Sequence, residues 1–112
     1  PHSTKQIEDC AQWGLDGSVE ALVLSDEEAP LPFASEEEAR ALCRRVRCPV
    51  LVIHGELDGC QPRERAVAVA ELTGGTLVAF EDAGHLVQAR HPVKVNRLLR
   101  EFAATVAPPQ RG

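Results

Sequence analysis

The sequence predicts an α/β fold: two parallel strands with flanking helices. Three observations carry that expectation. Two short runs, 50–54 (VLVIH) and 76–80 (TLVAF), have the β-branched and aliphatic content of strands. The first has no polar alternation, as a parallel strand buried on both faces requires. Between them lies an Ala- and Val-rich segment opened by Pro62 and stopped by Gly74-Gly75, the punctuation of a helix. Strand, loop, helix, strand, loop, helix is one βαβ crossover plus a closing helix, which implies a parallel pair.

A chain of 112 residues is one domain or part of one. Apolar residues make up 44% and charged residues 26%, the balance of a soluble globular protein. A net charge of −5 argues against a nucleic-acid partner held by phosphate neutralisation, and 4% aromatics with no tyrosine argues against base stacking. No apolar run approaches the roughly 20 residues of a membrane span, so no membrane partner is expected, and nothing implies a cofactor. Cys10, Cys43, Cys48 and Cys60 are scattered, which favours free thiols in a reducing compartment, the cytoplasm. Cys43 and Cys48 have zinc-finger-like spacing, yet no second close pair follows them, so no metal is expected there. The chain begins at Pro1 without a basic-then-apolar leader, and a native start there is not expected.

The elements follow in order. Ser3 and Gln6 form a capping box ahead of Ile7, Cys10, Ala11 and Gly14, a helical stripe, with Trp13 as a packing anchor. "SVEALVLS" has the content of a short helix, and "DEEAPLPF" reads as an acidic, solvated loop. Ser35 and Glu38 form a second capping box; Ala39, Leu42, Cys43 and Val46 mark the apolar face behind it. Arg44, Arg45 and Arg47 crowd the carboxyl end, where cations suit the helix dipole. The strand ends at Gly55, and "ELDGCQP" loops to Pro62 as first helical residue, followed by Ala66, Val67, Val69 and Ala70. After the second strand comes a loop carrying His85. Pro92 then opens a helix with Val95, Leu98, Leu99, Phe102 and Val106 on one stripe, and "APPQRG" is a frayed tail.

The two loops leaving the strands carry the chemistry. In an open parallel sheet, ligands bind beyond the carboxyl ends of the strands. Asp58 and His85 sit on those loops, and strands about 4.8 Å apart allow their side chains to meet. A carboxylate accepting from one ring nitrogen fixes the tautomer and supports the imidazolium formed when the other takes a proton. His85 is thus expected as a general base oriented by Asp58, with Gly84 letting the ring turn inward. Glu56, Glu81 and Asp82 are rival carboxylates; Glu81 and Asp82 lie too close to the histidine in its own loop and are expected to cap or solvate. His54 is expected to be structural, His91 a helix entry, and Cys60 structural or incidental.

"CPVLVIHGELDGCQP" followed by "FEDAGHLVQARHPVKVNRLLREF" resembles the carboxyl-terminal part of the α/β-hydrolase superfamily. The matching pieces are the apolar strand, the Gly55-x-x-Asp58 turn, the downstream Pro62, Gly84-His85, His91-Pro92 and the helix containing Val95-Asn96. The resemblance covers residues 48–106 and implies a partial α/β-hydrolase fold lacking the nucleophile half. Its strands would be the last two of the family's sheet, with residues 1–47 a helical lid or connector remnant, 48–107 a βαβα unit and 108–112 a tail. It further implies that Asp58 and His85 are the catalytic acid and base of a Ser-Asp-His-type triad hydrolysing ester-like bonds of a small-molecule substrate. The family's Gly-x-Ser-x-Gly elbow is missing: Ser3, Ser18, Ser25 and Ser35 do not fit it. Serine, cysteine and aspartate all remain open as the nucleophile. The chain is therefore expected to be a fragment, inactive alone, whose partner is the missing N-terminal half. The alternative is a non-catalytic interaction module that self-associates into an oligomer through an exposed strand edge.

Overall fold

A computed structural model describes residues 4–21, 23 and 34–106. The chain divides into two compact parts between Ala39 and Arg40, each described by itself.

In the first part, helix α1 spans Lys5–Asp16. Ser3, and with it the first capping box, lies outside the described residues. Thr4 is the N-cap, and its carbonyl accepts from the N–H groups of Ile7 (3.0 Å) and Glu8 (3.1 Å). One-turn side-chain pairs, Lys5–Asp9 at 2.8 Å and Gln12–Asp16 at 2.9 Å, brace its surface. Trp13 is not the packing anchor expected of it: it is 67% exposed, and Ile7 and Leu15 are more so. Residues 19–21 and 23 are helical, in line with the short helix that "SVEALVLS" suggests. The acidic loop falls outside the described residues.

Helix α2, Glu36–Arg44, crosses the division between the parts. Its capping box forms with one difference from the usual arrangement. Ser35 Oγ accepts the Glu38 N–H at 3.2 Å, but the Glu38 carboxylate reaches back to the N–H of Ala34, at 2.7 Å, not to that of Ser35.

The second part holds a mixed α/β unit. Strand β1 (Leu51–Gly55), helix α3 (Arg63–Thr73), strand β2 (Thr76–Phe80), a turn of helix α4 (Val87–Arg90) and helix α5 (Pro92–Val106) follow in order. The strands pair in parallel, in register from Leu51↔Thr76 to Gly55↔Phe80. Val50 lies just outside β1, although its carbonyl still accepts the Thr76 N–H at 3.0 Å. Burial on both faces holds only at the carboxyl end of β1: His54 and Gly55 are buried, while Leu51, Val52 and Ile53 are half-buried. Helix α3 packs on both strands and α4 on β1, and a two-stranded sheet offers too little width to bury the rest. His54, 7% exposed, is the packed residue the sequence suggests.

Pro62 is the N-cap of α3, not its first helical residue. Its ring fixes φ at −68°, but ψ of 147° is extended, so the helix begins at Arg63. Ala66 and Ala70 face the sheet, whereas Val69 is exposed. Gly74 stops the helix in the left-handed conformation, φ 65°, its N–H directed to the carbonyls of Ala70 and Glu71. Helix α4 was not foreseen: four residues are too few for a periodic signal. In α5, Val95 is buried and Leu98 and Phe102 are half-buried, but Leu99 and Val106 are exposed, a narrower stripe than expected. The core joins Phe80, Ala83, Val87 and Val95, with Ile53, Val78 and Leu98 against it. It therefore lies at the carboxyl end of the sheet, beneath the loops. The tail falls outside the described residues, among which no helix is long and apolar enough to cross a membrane.

Gly55 is the steric key to this arrangement. A Cβ there would lie 2.3 Å from the carbonyl oxygens of both Ala83 and Gly84. These are backbone atoms and cannot yield by a rotamer change, so Gly55→Ala should destabilise the second part by at least about 2 kcal/mol. Urea unfolding followed by circular dichroism checks this; a midpoint equal to wild type would mean the loops have room to part.

Candidate active site

The ladder between β1 and β2 continues past the strands and binds the two loops together. The Glu56 N–H donates to the Phe80 carbonyl at 2.9 Å, and the Leu57 N–H to that of Ala83 at 3.0 Å. The second bond crosses directly from the acid's loop to the histidine's. The Asp58 N–H then turns back to the Gly55 carbonyl at 3.0 Å. An ion pair at 2.9 Å between Glu56 and Arg63 fastens the outer end of the loop, and this bond raises the Arg63 pKa.

Asp58 uses its two carboxylate oxygens differently. Oδ1 accepts the N–H groups of Cys60 at 2.7 Å and Gln61 at 3.0 Å, an Asx turn that fixes the side chain on its own loop. Oδ2 meets His85 Nδ1 at 3.0 Å. The Gln61 N–H, then the His85 ring and the Cys60 N–H, hold the carboxyl at about 2, below its ordinary 3.8, although burial works the other way. An ionised carboxylate only accepts, so His85 Nδ1 carries the proton and Nε2 is left with a free lone pair. The Asp58 side chain is 5% exposed and that of His85 52%: a buried acid orients a base that solvent or substrate can reach.

Sequence reasoning named this pair, and the structure brings it together; Glu56 is committed to Arg63, and Glu81 is exposed. Gly84 does not have the importance expected of it. It has no positive φ, and a Cβ there would meet only the Leu57 carbonyl, at an ordinary 3.6 Å. The close approach belongs to Gly55, at the end of β1.

Two further features differ from expectation. Asp82 is more than a cap or a solvated charge: its Oδ1 lies 2.9 Å from His91 Nε2, and the His91 ring stacks on Phe80 with centroids 5.3 Å apart. Burial pushes Asp82 up, but the hydrogen bond and charge of His91 outweigh it and leave the carboxyl below its ordinary value. His91 is also the helix entry expected of it, its carbonyl accepting the Val95 N–H at 3.0 Å. Cys60 is not incidental by position: one donor atom from each of Asp58, Cys60 and His85 lies within 4.8 Å of the other two. The spacing Asp58-x-Cys60 on one tight turn was the available signal. All four cysteines are free thiols.

Such a constellation can accept a proton at His85 Nε2, stabilise the resulting imidazolium through Asp58, and return the proton to a leaving group. The comparison with known proteins found no matching family model and no matching curated protein.

The sign of the pH effect follows from the depressed Asp58 value. A carboxylate bound more tightly in the folded state contributes its stability above the ordinary carboxylate range and loses it as pH falls from about 4 towards 2. NMR titration of the Asp58 side-chain carbon should give a midpoint near 2. In His85→Ala the midpoint should rise only partway, because the Gln61 and Cys60 N–H groups remain; full return to 3.8 would show that the Asx turn does not hold the acid.

Proposed function

We propose that residues 48–106 are the acid- and base-bearing unit of an α/β-hydrolase, acting on ester-like bonds of a small molecule together with a nucleophile outside this sequence. The observation that carries this reading is the 3.0 Å contact between His85 Nδ1 and the buried, N–H-bound carboxylate of Asp58, on adjacent loops at the carboxyl ends of parallel strands. Support also comes from the order of elements, strand–acid loop–helix–strand–histidine loop–helix, which resembles that of the superfamily's last section.

In this mechanism His85 Nε2 removes the proton from the nucleophile's hydroxyl or thiol as it attacks the carbonyl carbon. The imidazolium then gives that proton to the departing alcohol or amine, and the same base activates water to release the acyl group. Asp58 stays ionised throughout and holds Nδ1–H. With no Gly-x-Ser-x-Gly elbow in the sequence, the nucleophile and its oxyanion donors come from elsewhere, and this unit alone is inactive. Four free thiols suit a reducing compartment, and we place the protein in the cytoplasm.

A second reading, a non-catalytic module that self-associates, draws on a different observation. Among the described residues the sheet holds β1 and β2 alone, so each strand has one unpaired edge, and Leu51, Val52 and Ile53 of β1 are half-buried. The same edge would receive the rest of a hydrolase sheet.

The test is the full product of the reading frame assayed on an aryl ester. His85→Ala should lower kcat by about 10⁴-fold and Asp58→Asn by about 10³-fold or more, with KM little changed, while the 112-residue chain alone gives no rate above buffer. Wild-type turnover in His85→Ala would remove the hydrolase reading. Should the full product be inactive while the chain sediments as a dimer that Val52→Lys dissociates, the interaction module is the better account.

A further inference from the structure

Cys60 changes what the Asp58–His85 pair can hold. The three residues bring together a thiol sulfur, an imidazole nitrogen and a carboxylate oxygen, each within 4.8 Å of the others. Two loops contribute them, and those loops are fixed to each other by the Leu57–Ala83 hydrogen bond and the close approach at Gly55. We propose that Asp58, Cys60 and His85 form a three-ligand zinc site, and that zinc occupying it takes His85 out of acid–base chemistry.

The donor set selects the ion. Thiolate and imidazole favour zinc over magnesium or calcium, which take oxygen ligands, and three protein ligands leave a fourth tetrahedral position for water. Zinc–ligand distances of about 2.0–2.3 Å put neighbouring ligand atoms roughly 3.3–3.8 Å apart. The Asp58–His85 contact at 3.0 Å is already slightly shorter than such an edge, and the remaining separations close by about 1 Å. Cys60 is exposed and His85 is half-exposed, so side-chain rotation can supply that movement and an ion has a path from solvent.

A support for the ligands is also in place. The Cys60 and Gln61 N–H groups bind Asp58 Oδ1, orienting the carboxylate and leaving Oδ2 to bond outward. The Cys60 N–H belongs to the same residue as the thiol, so the turn that orients the acid also sets the sulfur. Zinc binds Nδ1 only as the other tautomer: the ring proton passes through solvent from Nδ1 to Nε2, and the Cys60 thiol releases its proton to solvent. With Nδ1 on the metal and Nε2 protonated, His85 has no lone pair left to accept a proton, and Asp58 no longer accepts from Nδ1–H. The site does not require the hydrolase reading: the same three donors bind zinc whether or not a nucleophile completes the pair.

The test uses the 112-residue chain with Cys10→Ser, Cys43→Ser and Cys48→Ser, which leaves Cys60 as the single thiol. Cobalt(II) serves as the spectroscopic probe and zinc as its competitor. The expected result is one cobalt per chain, with a thiolate-to-cobalt charge-transfer band in the near ultraviolet and visible bands of tetrahedral strength, both abolished by zinc. Cys60→Ala should remove the charge-transfer band, and His85→Ala or Asp58→Asn should weaken binding by about 100-fold or more. Zinc should also slow alkylation of Cys60 by iodoacetamide in the unmutated dyad, a readout that needs no variant of Asp58 or His85 to fold. No charge-transfer band at millimolar cobalt, undiminished affinity in both dyad variants, or alkylation unaffected by zinc would each overturn the site. None of these outcomes depends on ester hydrolysis.

Discussion

The Asp58–His85 contact depends on one backbone contact: the loop that carries Asp58 lies directly against the loop that carries His85. Parallel pairing puts both loops at the same end of the sheet, but pairing alone leaves them a strand's width apart. Two bonds beyond the strands, from Glu56 to Phe80 and from Leu57 to Ala83, draw them together. Each contributes only about 0.5–1.5 kcal/mol, so steric permission decides the matter. Gly55 gives that permission, since the carbonyls of Ala83 and Gly84 occupy the space a side chain would need. The imidazole arrives opposite the carboxylate because two stretches of main chain are in contact beneath it.

Two Asp–His pairs occur among the described residues, and the exposures of their side chains are opposite. In the first, Asp58 is 5% exposed and His85 52%; in the second, Asp82 is 66% exposed and His91 17%. A buried carboxylate fixed by N–H donors beside an imidazole open to solvent is the arrangement that suits proton transfer. A half-buried imidazole stacked on Phe80, with its carboxylate in solvent, is a fastening instead. It ties the start of α5 to the end of β2, which holds the floor under the first pair. The same residue types thus separate into an accessible imidazole and a packed one by which partner faces water.

Much of this was legible in the sequence, and the misses share a cause. The parallel strands, the α3 stop at Gly74 and the Asp58–His85 meeting follow from local composition and from the topology that composition implies. Trp13, Gly84 and Asp82 depart from the sequence reading because their meaning depends on what lies opposite. An apolar stripe indicates a helix but not a neighbour to cover it, and Trp13 is left exposed. A glycine beside a histidine invites a conformational reading, yet the tight approach falls on a glycine 29 positions earlier, at the end of β1. Asp82 and His91 are separated by α4, which has no periodic signal, so their pairing could not be read from spacing. The company of Cys60 is equally hidden, since one of the two donors beside it, His85, is supplied by the other loop.

The core beneath the site is small for what it supports. Phe80, Ala83, Val87 and Val95 form it, and among the described residues no large side chain is fully buried and the sheet has two strands. Isolated pairs of strands are marginal in water, and a covering layer is what normally steadies them. Proton transfer tolerates little looseness, since a displacement of about 1 Å can reduce rate by roughly 100-fold. The Asx turn at Asp58, the cross-loop bond at Leu57, the Glu56–Arg63 pair and the His91 stack together restrain the loops locally, with little help from buried apolar area. Such local restraint keeps the acid and base aligned with each other, but it cannot align them with a third group. Under the reading proposed above, that alignment would come from further strands paired on the open edges of β1 and β2, so the same edges that leave this small sheet uncovered are where a third group would be brought in.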